Sequence, residues 1–328
     1  MKISVVLAAF SPVDAQLPKK HFQSTLDFLL GHGHDLEVCV AQVVREGQDP
    51  VPTVGAATSL VFESEDKVFF KENLWNLAAA HAIADKLLFI DADLYYKDPN
   101  WLDIICSSLD EYDVVQPFDV ANWEMRSGEV NPTVRKPSWF NAILNGGAPV
   151  SETYHPGFGF AMTRKHFDAI GGFYEHGVMG EGDHMFCVAH TPQKQVEYVL
   201  QFGLKALNDP ESGIHPDIRS HWKNLANHFL SPDYIDYKAN IQSMDFKAGV
   251  PRNLNIFHRW HGLPAKRQYT TRLKYVDWPE IGKPCRTRDD GLLGWVKPQP
   301  GVDAWWAARD DDGVGDTGIT LNRYIPME

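Results

Sequence analysis

Three groups of residues have the types and spacing for chemistry. Asp91 and Asp93 stand two apart, directly after the apolar run Leu87 to Ile90. Two carboxylates so placed can hold a divalent cation that also grips a diphosphate and neutralises charge on a phosphate leaving group. A turn whose carboxylates cap the next helix is the plain alternative. Asp183 lies in Gly180-Glu181-Gly182-Asp183-His184-Met185 and would stand near an N-terminus if a helix opens there. An ionised carboxylate is favoured there and can take a proton from an attacking hydroxyl. A simple N-cap would also explain it. His258 and His261 are three apart in Phe257-His258-Arg259-Trp260-His261. Two imidazoles at that spacing can meet one cation from a turn or a helix face. Packing with Trp260 is the competing explanation.

The elements that must position these groups follow from hydrophobic periodicity. Ile3 to Phe10 reads as a buried strand ended by Ser11-Pro12. Residues 16–31 read as a helix stopped by Gly31 and Gly33, and Leu36 to Val44 as a second strand. A short third strand is expected at Ser59 to Phe62. A helix over 71–85 has Leu74, Leu77, Ala78 and Ala82 on one face, and the strand Leu87 to Ile90 follows. This alternation predicts an α/β fold with a mostly parallel central sheet and helices on both faces. Ligands of such sheets bind at the carboxyl ends of the strands, here after Phe10, Val44 and Ile90. Residues 119–155 read as functional loops, and 215–245 as helical and aromatic. Past residue 285 the chain is acidic, and Asp310-Asp311-Asp312 reads as a solvated loop.

The stretch from Phe69 to Asp93, with Asn76 fifteen residues before Asp91, resembles the nucleotide-sugar half of the GT-A glycosyltransferases. Gly157-Phe158-Gly159-Phe160-Ala161, Gly171-Gly172-Phe173 and the Asp183 block resemble the acceptor half of the family 2 and family 7 (β-1,4-galactosyltransferase) enzymes. His-x-x-His-Gly followed by Arg267-x-Tyr269-x-x-Arg272 is similar to a phage and bacterial subgroup of family-2-like transferases. The resemblance spans residues 1–275, split at 118 into donor and acceptor halves, and leaves 276–328 as an acidic C-terminal extension. It implies a GT-A (Rossmann-like) fold and transfer of a sugar from a nucleotide-sugar, such as a UDP-sugar, to an acceptor hydroxyl. It implies that Asp183 is the general base of an inverting reaction, with retention left open because related retaining families share the scaffold. It places Phe10, Gln42, Asn76 and Asp91 against the donor, with Arg267 and Arg272 on its diphosphate. It places Mn²⁺, or Mg²⁺, on Asp93, His258 and His261; imidazole ligands favour Mn²⁺. One departure stands out: Gly182 occupies the position of the family's Glu, and Glu181 lies one earlier.

The acceptor is left open between a saccharide and a modified nucleobase in phage DNA. Glu181, His184 and Trp139 are candidates to touch it. Trp123, Phe140, Tyr154, Trp222 and Trp260 are further surfaces for stacking, although large aromatics serve cores as readily. Lys plus Arg is 31 against 43 for Asp plus Glu, a net charge of −12, which excludes broad electrostatic binding to nucleic acid. A small basic groove of Arg135, Lys136, Lys266, Arg267 and Arg272 survives that argument. The alternative to the basic stretch as a ligand clamp is a solvated segment pairing with the acidic tail.

The four cysteines are far apart, with no CxxC, and read as small buried residues of a reducing compartment. No apolar run approaches the ~20 residues of a membrane span, and the N-terminal run is read as a strand rather than a signal peptide. A bacterial or phage-infected host cytoplasm is the expected location. Two rivals remain. One is a non-catalytic nucleotide-sugar or glycan-binding protein on a degenerate scaffold, favoured by Gly182. The other is a nucleotidyltransferase, disfavoured because Ser11-Pro12-Val13-Asp14 is neither glycine-rich nor basic.

Overall fold

A computed structural model describes residues 2–32, 35–146, 153–192, 229–262, 266–267, 269–279 and 283–313. The N-terminal half alternates as expected: β1 (Ile3–Phe10), α1 (Gln16–Leu30), β2 (Leu36–Val44), β3 (Thr58–Glu63), α2 (Lys71–Ala79) and β4 (Lys86–Ile90). β5 (Leu94–Tyr96), α3 (Trp101–Glu111) and β6 (Val114–Val115) follow. Next come β7 (Val120–Glu124), β8 (Val130–Pro137), α4 (Trp139–Leu144), β9 (Gly159–Thr163), α5 (Arg164–Ile170) and α6 (Gly182–Ala189). α7 (Pro232–Ser243), β10 (Ala248–Gly249), β11 (Asn255–His258), β12 (Cys285–Thr287), β13 (Leu293–Trp295) and α8 (Pro300–Ala307) complete the described chain.

The central sheet has the order β10-β6-β9-β4-β1-β2-β3. β1 pairs in parallel with β2 and β4, and β2 with β3. The class is mixed α/β with a mostly parallel sheet. β9 is the exception, antiparallel to both β4 and β6. Its direction matters for the site. Ile90 pairs with Gly159, so the chain entering β9 and the chain leaving β4 share one end of the sheet. β1 and β2 are almost wholly buried, which is why they read as continuous apolar runs rather than alternating ones. Two apolar clusters cover the sheet, one built on Leu74, Trp75 and Phe89, the other on Leu26, Leu29 and Trp101.

Gly159 is required by sterics at the β4–β9 seam. A Cβ there would press far inside van der Waals contact with the Phe89 carbonyl and lie 3.0 Å from Ile90 Cγ2. Gly159→Ala is expected to cost about 1–3 kcal/mol by overpacking, read as a lowered midpoint in denaturant unfolding.

Four expectations are corrected. The helix expected over 71–85 stops at Ala79. Ser4 Oγ and the Glu37 carboxylate then accept the N–H groups of Ala84 and Ile83 and turn the chain into β4. Residues 119–155, expected to be loops, contain β7, β8 and α4. β8 is an edge strand, where Pro132 and Pro137 are tolerated, so its composition mimics a loop. The Asp310–Asp312 segment is not a solvated loop. Asp311 is 7 % exposed, and Asp312 accepts from the Leu17 N–H at 2.6 Å. The alternative reading of Arg267 and Arg272 is corrected in exposure only: each lies against a buried carboxylate rather than in solvent, while Arg267 does pair with the acidic tail, at Asp311.

Beyond residue 275, β12, β13 and α8 pack into the same core as α2, through Cys285, Leu292, Leu293, Val302, Trp305 and Trp306. Asn73 on α2 fixes this segment by accepting from Leu293 N and donating to the Gly291 carbonyl. The helical reading of 215–245 is met within the described residues by α7, while Trp222 lies outside them. All four cysteines are buried free thiols. Among the described residues no helix is long and apolar enough to cross a membrane.

Candidate active site

β4 ends at Ile90, so Asp91 and Asp93 project beyond the carboxyl end of a central parallel strand. Asp93 leads into β5, which belongs to a second sheet of order β5-β11-β7-β8. β11 runs antiparallel to β5 and places His258 opposite Leu94. The Arg259 N–H donates to the Asp93 carbonyl at 2.9 Å and extends that ladder by one residue. Sheet register therefore carries two residues about 165 positions downstream onto the second carboxylate of the Asp-x-Asp pair.

The side chains converge. His258 Nε2 lies 3.2 Å and His261 Nε2 3.0 Å from Asp93 Oδ2, and the two ring nitrogens are 3.1 Å apart. In octahedral coordination with bonds of about 2.1 Å, adjacent donor atoms sit about 3.0 Å apart. The triangle thus has the dimensions of one face of a coordination shell. Asp93 Oδ1 and His261 Nδ1 are buried without hydrogen-bond partners. Burial, then the Arg267 charge, pushes His261 down to about 3, so its imidazole is neutral at pH 7, as a metal ligand must be. Burial works against ionising Asp93, but the two imidazoles outweigh it and hold the carboxyl well below its usual range. This is the group of His, Cys, Asp and Glu side chains found suited to a metal among the described residues. Two imidazoles and one carboxylate suit Mn²⁺ or another first-row ion better than Mg²⁺.

A second cluster adjoins it. Asp183 is the second residue of α6, inside the first turn. Both its oxygens lie 2.7 Å from Lys71 Nζ, which opens α2. The same ammonium is 3.2 Å from Asp91 Oδ1 and 3.7 Å from Glu72 Oε1. It also sits 4.9 Å over the Trp75 ring, a cation–π contact. Burial opposes a charged Lys71, but Asp183, Asp91 and Glu72 together raise its pKa above the ordinary value. Burial raises Asp91 to about 6 despite the attraction of Lys71, and repulsion from Asp183 and Asp93 adds to the shift. Burial also raises Glu72, to about 8, with Lys71 opposing.

Phe158 joins the two clusters. Its carbonyl accepts the Asp91 N–H at 3.1 Å, and its ring stacks on His258 at 5.0 Å between centroids. It holds φ at 80°, rare for a bulky side chain and typical of strain retained at functional sites. The neighbouring Gly157 keeps Asp183 close, since a Cβ there would lie 2.6 Å from Asp183 Oδ2. His155 Nε2 faces the same gap, buried and without a partner, and burial holds that imidazole well below its ordinary pKa.

The other sequence candidates are placed as follows. Phe10 packs edge-on against Phe69 at the end of β1. Gln42 is buried and exchanges two hydrogen bonds with the Val51 backbone, holding the β2–β3 connection. Asn76 clamps the Gly172-Phe173 turn, accepting from Phe173 N and donating to its carbonyl and to Glu175. Arg272 donates to Glu181 at 2.6 Å and to the Gly180 carbonyl. Arg267 lies 3.7 Å from Asp311, which Arg309 also holds at 2.7 Å. His184 meets Trp139 and Phe229 edge-on, and Trp139 is 1 % exposed with its indole N–H on Thr191.

Sequence reasoning missed Lys71, Glu72, His155 and the Arg309–Asp311 pair. A signal for the first two was present. They stand between Phe69-Phe70 and Leu74-Trp75, in a helix turn whose neighbours on both sides are core residues.

No family model matches the chain, and no curated protein matches it. Solved structures do resemble it at low identity. A mannosyltransferase, PcManGT from Pyrobaculum calidifontis, in complex with GDP-Man and Mn²⁺, is 15% identical over 73% of this chain and 72% of that one, with a TM-score of 0.37. Residues 1–349 of S. aureus TarS are 17% identical over 71% and 73%, with a TM-score of 0.33. A Drosophila β1,4-galactosyltransferase 7 complex with manganese, UDP-Gal and xylobiose is 16% identical over 56% and 59%, with a TM-score of 0.29.

Proposed function

We propose that the chain is a metal-dependent glycosyltransferase that moves a sugar from a nucleotide-sugar, such as a UDP-sugar, to an acceptor hydroxyl with inversion. The observation that carries this reading is the convergence of Asp93, His258 and His261 beside Asp183, at the carboxyl end of the central parallel strand. Asp93, His258 and His261 would hold Mn²⁺, or Mg²⁺, which supplies charge neutralisation to a departing diphosphate. Asp91 would contact the ribose or the donor sugar. Phe10, Gln42 and Asn76 would shape the donor pocket, directly or through the loops they fix. Arg267 and Arg272 would reach the diphosphate by exchanging a carboxylate partner for a phosphate one.

The covalent step belongs to Asp183. Its carboxylate takes the proton of the acceptor O–H as that oxygen bonds to the anomeric carbon. The bond from the anomeric carbon to the diphosphate oxygen breaks, and the nucleoside diphosphate leaves with the electron pair. Lys71 holds the Asp183 side chain in place before the step, through contacts of 2.7 Å to both oxygens. The Lys71–Asp183 pair, buried at a helix start beside the Asp-x-Asp residues, favours the enzyme over a non-catalytic binding protein.

The test is a thermal-shift screen of nucleotide sugars with and without Mn²⁺. A true donor at 100 times its dissociation constant stabilises the native state by about 2.7 kcal/mol, and the shift should require the metal. No stabilisation by any nucleotide sugar in the presence of Mn²⁺ would overturn the reading.

A further inference from the structure

Gly182 stands in the first turn of α6, in a helical conformation that any residue adopts and where glycine weakens the helix. Its backbone geometry does not explain it, but its surroundings do. A Cβ at this position would lie 2.6 Å from Glu72 Cγ and still closer to the Glu72 carboxyl group. The space that a side chain at 182 would fill is occupied by a carboxylate reaching across from α2.

Glu72 is itself unusual. It is 1 % exposed, and neither carboxylate oxygen has a hydrogen-bond partner. Its neighbouring cation is Lys71, 3.7 Å away. A buried carboxyl without hydrogen bonds is costly, and an apolar residue would pack two helices together at lower cost. Three carboxylates surround one ammonium here, and Asp183 has the shortest contact. Lys71 has four rotatable carbon–carbon bonds, so its aim depends on what anchors its head group.

We infer that Lys71 and Glu72 are positioning residues for Asp183, with Glu72 the buried anchor that keeps the ammonium aimed at the base and Gly182 the notch that admits it. The inference rests on Asp183 being the base. It deepens that reading by assigning the ammonium and the carboxyl group behind it and by giving the glycine before Asp183 a physical cause. α2 and α6 are then coupled through one notch, and substitutions at 72 and 182 cannot be independent.

The experiment uses the full chain, the nucleotide sugar that gives the largest Mn²⁺-dependent thermal shift, and water as acceptor. Glu72→Gln preserves shape and removes the ionisable carboxyl that faces Lys71. It should leave donor KM within about twofold and lower kcat about tenfold, since misaiming a catalytic group costs rate rather than binding. In the Glu72→Ala background, Gly182→Glu returns a carboxylate to the same space from the opposite helix. It should recover at least about fivefold in kcat over Glu72→Ala alone, which loss of packing could not produce. Asp183→Asn is the reference. Wild-type kcat in Glu72→Gln alongside an inactive Asp183→Asn overturns this inference and leaves the base in place. Wild-type hydrolysis in Asp183→Asn overturns the base reading itself.

Discussion

Asp183→Asn is expected to lower kcat by about 10²–10⁴ while the dissociation constant of the donor changes by less than about twofold. The amide is the same size as the carboxylate, so Gly157, the tight neighbour of this side chain, keeps its packing. What is lost is the proton acceptor. Lys71 keeps the carboxyl groups of Asp91 at 3.2 Å and Glu72 at 3.7 Å, so the variant should fold. Donor affinity should survive because the proposed metal ligands lie after β4 and at the end of β11, not on α6. The split between the two constants is the informative result, from initial rates and from calorimetric titration of the donor. Equal losses in both would mean that Asp183 holds substrate rather than accepts a proton.

The second large effect is on the metal. Asp93→Ala, or chelation with EDTA, should abolish both Mn²⁺-dependent stabilisation and sugar transfer. Asp93 Oδ2 is the vertex shared by both imidazoles, at 3.2 and 3.0 Å. Removing it leaves two nitrogens and no anion, and Mn²⁺ affinity should fall by more than about 100-fold, beyond the 10–100-fold typical of outer-shell losses. His258→Ala and His261→Ala should each weaken binding as well. His258→Ala also removes the ring that stacks on Phe158, so it should disturb Asp91 through the Phe158 carbonyl. Calorimetric titration with Mn²⁺, Mg²⁺, Zn²⁺ and Fe²⁺ reads affinity without any substrate. Unchanged Mn²⁺ affinity in Asp93→Ala would remove this trio from the metal site.

These effects differ in how far they could be foreseen. β1, β2 and β4 are short, buried, parallel strands, and such strands read as unbroken apolar runs. Their order placed Asp91 and Asp93 at a carboxyl end before any contact was known. The family resemblance of the glycine block, rather than periodicity, implied a helix start at Asp183, where α6 begins at Gly182. The antiparallel direction of β9 was not legible, because strand direction is set by partners and not by periodicity. Nor was the β7–β8 hairpin, whose edge position lets prolines stand in a strand.

The site divides in the same way. Residue types and local spacing were enough to mark Asp91, Asp93, His258 and His261 as groups able to bind a cation, and the resemblance of its glycine block marked Asp183 as a proton acceptor. That Asp93 and the histidines meet depends on the β5–β11 register. That Lys71 faces three carboxylates, and that Asp311 is a buried partner of arginines rather than a solvated acid, depends on folding alone. The physical reason is common to all of these. Backbone periodicity is local, whereas the burial and pairing of a charge are fixed by whichever distant segment excludes water from it.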